Sequence, residues 1–124
     1  MKALLIIAHG SRRKEANDEV RRLADRIREN AGPSFSLVAS GFLEISSPQV
    51  DSAIADLVDE GATEIMIFPH FLTTGTHVAN DIPRIIEEEK AIHAHVTFEL
   101  LPHLGALQGI STLILNHIYK SAST

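Results

Sequence analysis

Two hydrophobic rhythms alternate along the chain. Residues 3–8, Ala-Leu-Leu-Ile-Ile-Ala, form a continuous apolar run, as expected of a strand buried on both faces of a parallel sheet. From Arg13 to Asn30 the apolar positions become Ala16, Val20, Leu23 and Ile27, three or four apart with charges between them. That spacing predicts an amphipathic helix, stopped near Gly32-Pro33. The pair of rhythms then repeats. Residues 35–43 predict a second strand, and Val50, Ala53, Ile54, Leu57 and Val58 the inward stripe of a helix that Gly61 ends. Ser47 is suited to cap that helix, with Pro48 in its first position. Residues 64–68 predict a third strand. A polar loop leads from it to a helix over 81–92, with Asn80 or Asp81 as cap and Pro83 in the first turn. Ile82, Ile85 and Ile86 should face inward and Glu87-Glu88-Glu89 should be solvated. Residues 96–101 and 107–119 complete the pattern as a fourth strand and a last helix.

Four βα units with helices long enough for crossovers predict an α/β three-layer sandwich, a four-stranded parallel sheet with helices on both faces. The common order 2-1-3-4 puts a topological switch between strands one and three. At 124 residues the chain is expected to be a single domain, 1–124. Hydrophobic content of 44% with 22% charged residues fits a soluble globular class. No apolar run is long enough for a transmembrane span, and the N-terminal run reads as a first strand better than as a signal segment. Cysteine is absent, which excludes disulfides and thiolate chemistry and fits a cytoplasmic location. A net charge of −5 argues against a general nucleic-acid binder.

The chemistry gathers where the strands end. In open sheets of this kind, ligands bind beyond the carboxyl ends of the strands. His9 follows strand one, Glu44 strand two, His70 and His77 strand three, and His103 strand four, so all five should share one rim. His70 reads equally well as a packed residue. His93, His95 and His117 fall on or near helix surfaces and read as solvated. The turn His9-Gly10-Ser11 also suits an anion at a helix start, with Ser11 as cap. Arg12-Arg13-Lys14 and Arg84 lie near enough to meet an acidic ligand.

These residues resemble a known family. Ala8-His9-Gly10-Ser11-Arg12 is similar to the opening motif of the small class II chelatases, the sirohydrochlorin cobaltochelatases and ferrochelatases of the CbiX type. The run from Phe71 to Pro83 resembles their second motif, a leucine, a variable pair, Gly-x-His and then Asp-Ile-Pro. Gly41-Phe42-Leu43-Glu44, followed by Ser47-Pro48, resembles the segment lining their tetrapyrrole cavity. The resemblance implies that His9 is a metal ligand and proton acceptor and His77 the second metal ligand. Glu44 would assist metal delivery or proton removal. It further implies that Leu72, Thr73, Thr74, Gly75 and Thr76 form part of the tetrapyrrole wall, with Ser47 and Arg12 as further contacts. Some relatives carry an acidic residue where this chain has Ser47, and His70 lies outside the shared pattern. The family's short forms pair, so a homodimer is implied.

The implied activity is insertion of a divalent metal substrate, Co²⁺ foremost with Fe²⁺ or Ni²⁺ as alternatives, into sirohydrochlorin on a route to cobalamin or sirohaem. No organic cofactor, nucleic acid or membrane enters. Imidazole suits these borderline ions, and few protein ligands leave coordination positions open for the incoming ring nitrogens. A non-catalytic metal or tetrapyrrole carrier using the same rim is the alternative. Phosphohistidine chemistry is disfavoured, because it wants an arginine beside the histidine where this chain has Ala8.

Overall fold

A computed structural model describes residues 1–122, with all side chains except those of His77, Ser121 and Ala122. Four strands, β1 (Lys2–Ala8), β2 (Leu37–Phe42), β3 (Glu64–Pro69) and β4 (Thr97–Leu100), alternate with four helices, α1 (Lys14–Ala31), α2 (Val50–Asp59), α3 (Thr76–Ile92) and α4 (Ile110–Ala122). All strands run parallel in the order β2-β1-β3-β4, with β1 and β3 paired across the switch, as the pattern predicts.

Side chains alternate across the sheet, and each face buries its own cluster. Ala3, Leu5 and Ile7 of β1 join Ile65 and Ile67 of β3 under α2 and α3, against Ala53, Ile54, Leu57, Ile82 and Ile86. Ile6 and Ala8 join Val38 and Phe42 under Val20 and Ala24 of α1. From Ala3 to Ala8, β1 is apolar without interruption because it is central and covered on both faces. Helices therefore lie on both sides of the sheet, in three layers.

Several local expectations change. α1 buries Val20 and packs Ile27 against the core as expected, and adds Asn17 and Ala24 to the buried side. α2 starts at Val50 with Gln49 at its N-cap; Ser47 and Pro48, joined by a cis peptide, precede it and do not cap it. α3 starts at Thr76 behind Gly75, so Asn80, Asp81 and Pro83 lie within the helix rather than at its start. Glu89, expected in solvent, is buried, and its carboxylate lies 3.5 Å from a half-buried His93, which was expected on the surface. Burial pushes the Glu89 carboxyl above its usual range, and the neighbouring His93 partly offsets this.

α4 stands apart from the core. A 3-10 turn at Leu104–Ala106 leads to it. Leu113, Ile114, Leu115, Ile118 and Tyr119 are all large, apolar and about half or more exposed.

Candidate active site

The ladder between β1 and β2 continues past the strands and sets two loops side by side. Ala8 pairs with Phe42, the Leu43 N–H then donates to the Ala8 carbonyl, and the Glu44 N–H to the His9 carbonyl, both at 3.0 Å. In that register the two side chains meet: His9 Nε2 lies 2.7 Å from Glu44 Oε1. Both residues are exposed, so water competes with the contact and substrate can reach it.

Gly10 makes this approach possible. Its φ is +97°, and a Cβ there would sit 1.8 Å from the Glu44 carbonyl oxygen. Only glycine tolerates both the left-handed backbone and that proximity. On the other loop Ile45 has a φ of 70°, a costly conformation for a β-branched residue. Backbone strain of this kind persists where the surroundings enforce it.

The surroundings come from α1. Asn17 is buried and brackets Ser11, accepting from its N–H at 2.9 Å and donating to its carbonyl at 2.8 Å. Ser11 Oγ accepts from the Arg13 N–H at 3.1 Å, while Arg13 occupies the N-cap without a side-chain bond. One turn further on, the Arg21 guanidinium donates to Ser46 Oγ at 2.9 Å and the Ser47 carbonyl at 2.8 Å. The same guanidinium pairs with Asp18 and lies over the Phe42 ring.

A hollow of about 150 Å³ opens beside the His9–Glu44 pair, lined by Leu43 from the β2 loop and Val78, Asp81, Arg84 and Ile85 from α3. Asp81 thus faces the candidate site rather than capping a helix. Arg84 bonds Glu88 at 3.0 Å and Asp81 at 3.4 Å, and these carboxylates hold its pKa above the usual value. Its charge is engaged within the helix before any ligand arrives.

The β3 loop meets this rim from the other side. Leu72, Thr73, Gly75 and Thr76 are exposed and Thr74 is half-buried. Gly105 braces the segment: its N–H donates to the Phe71 carbonyl at 3.1 Å, and a Cβ there would sit 1.7 Å from the Leu72 carbonyl oxygen. Gly75, in contrast, has an ordinary φ of −75° and nothing within 4 Å of where a Cβ would be. His77 lies in the first turn of α3, but its side chain is outside the described residues. Thr74, Val78 and His103 line a second hollow of about 210 Å³ between α3 and the end of β4.

Not every predicted residue joins the pair. Arg12 and Ser47 are exposed, and Ser47 takes part through its carbonyl. His70 has a buried Nδ1 without a hydrogen-bond partner, and burial lowers its pKa. Among the described residues no three His, Asp or Glu side chains converge closely enough to hold a metal ion together. The pair itself can admit one. Two ligands about 2.1 Å from a metal stand roughly 3.0–3.4 Å apart for octahedral or tetrahedral angles. The 2.7 Å gap between His9 and Glu44 needs only a small side-chain rotation to reach that separation.

Sequence reasoning placed His9 and Glu44 on one rim, where the structure brings them into contact, but gave no site role to Asn17, Arg21 or Asp81. Asn17 had a signal, a polar residue flanked by helix turns near the first loop. Arg21 had none for its loop contacts, because Ser46 and Ser47 lie 25 and 26 residues away.

The CbiX family model matches residues 3–121 of this chain. A sirohydrochlorin cobaltochelatase of Methanocaldococcus jannaschii is 34% identical over 86 residues, covering 69% of this chain and 59% of that protein. A sirohydrochlorin ferrochelatase of Priestia megaterium is 32% identical over 109 residues, covering 88% of this chain and 37% of that protein. The chain thus spans less than two thirds of the length of these relatives. The crystal structure of a CbiX protein from Marinobacter aquaeolei VT8 superposes with a TM-score of 0.83, covering 99% of this chain and 98% of that one. At 23% identity that likeness speaks for the fold.

Proposed function

Because the chain belongs to the CbiX family, we propose that it inserts a divalent metal ion into sirohydrochlorin. The observation that carries this reading is the 2.7 Å contact of His9 with Glu44 at the carboxyl end of the sheet. His9 and His77 hold the incoming ion, and His9 and Glu44 take up the pyrrole protons. One imidazole nitrogen cannot bind metal and accept a proton at once, so these events are sequential. A proton arriving at His9 Nε2 has its next acceptor at Glu44 Oε1. General-base help of this kind is worth about 10²–10⁴-fold. Leu72, Thr73, Thr74, Gly75 and Thr76 form the wall against which the ring lies, with Ser47 and Arg12 at its margin. Arg12 is exposed and suits the carboxylates of the substrate better than Arg84, which Glu88 and Asp81 already engage.

The metal is Co²⁺ first, with Fe²⁺ and Ni²⁺ accepted. Affinity at nitrogen sites rises from Fe²⁺ through Co²⁺ to Ni²⁺, so supply in the cell selects among them. A site with few protein donors suits delivery of the ion rather than storage, which favours an enzyme over a carrier. Residues 1–124 act as one α/β half-unit, in the cytoplasm, and two copies form a homodimer. The half-exposed large apolar residues of α4 support pairing, since a helix this apolar gains from being covered.

The test is purified protein with sirohydrochlorin and Co²⁺ or Fe²⁺, following the absorbance change of metallation. Acceleration over the spontaneous rate is expected, and its loss in His9→Ala and His77→Ala. A folded protein that binds both ligands tightly without speeding insertion is a carrier, and the proposal fails. Light scattering tests the dimer, which a monomer at working concentration refutes.

A further inference from the structure

The strained loop that carries Glu44 and the turn that carries His9 are both tied to a single helix. Asn17 and Arg21 are four residues apart on α1 and therefore share a face. Asn17 makes a two-bond bracket on the Ser11 peptide groups, two residues beyond His9. Arg21 makes a fork onto Ser46 and Ser47, two and three residues beyond Glu44, and closes over Phe42 two residues before it. Between the fork and Glu44 lies Ile45 in its left-handed conformation. Nothing in the local preference of Ile45 holds that backbone; tertiary contacts must. The Ser46 N–H bond to the Glu44 carbonyl at 2.7 Å closes the loop on itself, and the Arg21 guanidinium anchors its far side.

We propose that Asn17 and Arg21 are positioning residues that act through the His9–Glu44 pair: α1 grips both loops and thereby sets the separation of the two side chains. The assignment rests on the function proposed above. Arginine is suited to the second role, because its planar fork reaches two acceptors on one loop while its face lies on an aromatic ring. Lysine retains the charge without the fork. Asparagine is suited to the first, since its amide oxygen accepts from the Ser11 N–H while its amide nitrogen donates to the Ser11 carbonyl.

The experiment is a double-mutant cycle on metallation kinetics with sirohydrochlorin and Co²⁺. Arg21→Ala should lower kcat about 10–100-fold, the usual cost of removing a group that orients a metal-site side chain. KM for the tetrapyrrole should change little. In a Glu44→Gln background the same Arg21→Ala step should cost almost nothing, because there is no carboxylate left to position. Arg21→Lys should fall between wild type and Arg21→Ala, and it carries the cycle if the alanine variant does not fold. Asn17→Asp keeps the acceptor and loses the donor, and should likewise lower kcat from the His9 side with little change in KM. An undiminished kcat in both Arg21 variants, or an equal loss with and without Glu44, overturns the proposal. If wild-type protein fails to metallate, the functional reading fails instead. Hydrogen exchange at the Glu44 amide then tests the grip directly: faster exchange in Arg21→Ala upholds it, and unchanged exchange refutes it.

Discussion

Replacing Gly10 with alanine should disable the candidate site and destabilise the fold together. The magnitude has three sources. Holding an L-residue at a φ of +97° costs about 1–2 kcal/mol. The new Cβ would begin 1.8 Å from the Glu44 carbonyl oxygen. Reaching an ordinary contact requires the carbonyl to retreat by about 1.5 Å, a backbone shift of the kind that costs about 1–3 kcal/mol. That retreat stretches the Glu44 N–H bond to the His9 carbonyl, worth about 1 kcal/mol. The terms overlap, since relaxing the clash also relaxes the backbone, so a total near 3 kcal/mol is expected, or roughly 10 °C in Tm for a domain of this size. The same shift pulls Glu44 away from His9, so metallation should fall even in the fraction that remains folded. Urea unfolding gives the first quantity, and the absorbance assay at a temperature well below the variant's Tm gives the second. A Gly10→Ala protein with wild-type Tm and full turnover would show that the two loops are not held as closely as described.

Gly75 provides the complementary case. Alanine fits there without strain or collision, costing less than about 1 kcal/mol as a poorer N-cap. Turnover should nevertheless fall if the space belongs to the tetrapyrrole, and an unchanged KM would remove Gly75 from the wall. Glu89 and His70 give opposite pH signatures. The Glu89 pKa is raised in the folded state by burial, so its contribution to stability is fully present below the unfolded value of 4.5 and is lost as pH rises through the folded one. Glu89→Gln should therefore gain on wild type, in urea midpoint, between acid and neutral pH; a constant difference would contradict this. The His70 pKa is lowered by burial, so its contribution is present above the unfolded value of 6.5 and is lost as pH falls through the folded one. His70→Leu should flatten that acid-side loss while leaving metallation intact, and retained acid sensitivity would refute the assignment.

The alternating rhythms carried the element order and the parallel sheet, because apolar periodicity reports directly which faces a segment must bury, while the strand order followed from the common arrangement of such sheets. They also carried His9 and Glu44 to the same rim, since in a parallel sheet every strand ends on the same side. The first residue of a helix was less legible. Asn80, Asp81 and Pro83 look like a helix start, and α3 nevertheless begins at Thr76, with Gly75 at its N-cap.

What only the tertiary structure decided concerns contacts between segments far apart in sequence. Asn17 is buried beside Val20 and Ala24, where its amide meets the Ser11 peptide groups. The reach of Arg21 to Ser46 and Ser47, the burial of Glu89 beside His93, and the exposure of α4 have the same origin. A residue's own periodicity records whether it faces a core. It carries no record of which loop the core brings opposite. The residues with chemistry could thus be named from the chain itself, while the 2.7 Å between His9 and Glu44 was set by the β1–β2 register and the grip of α1.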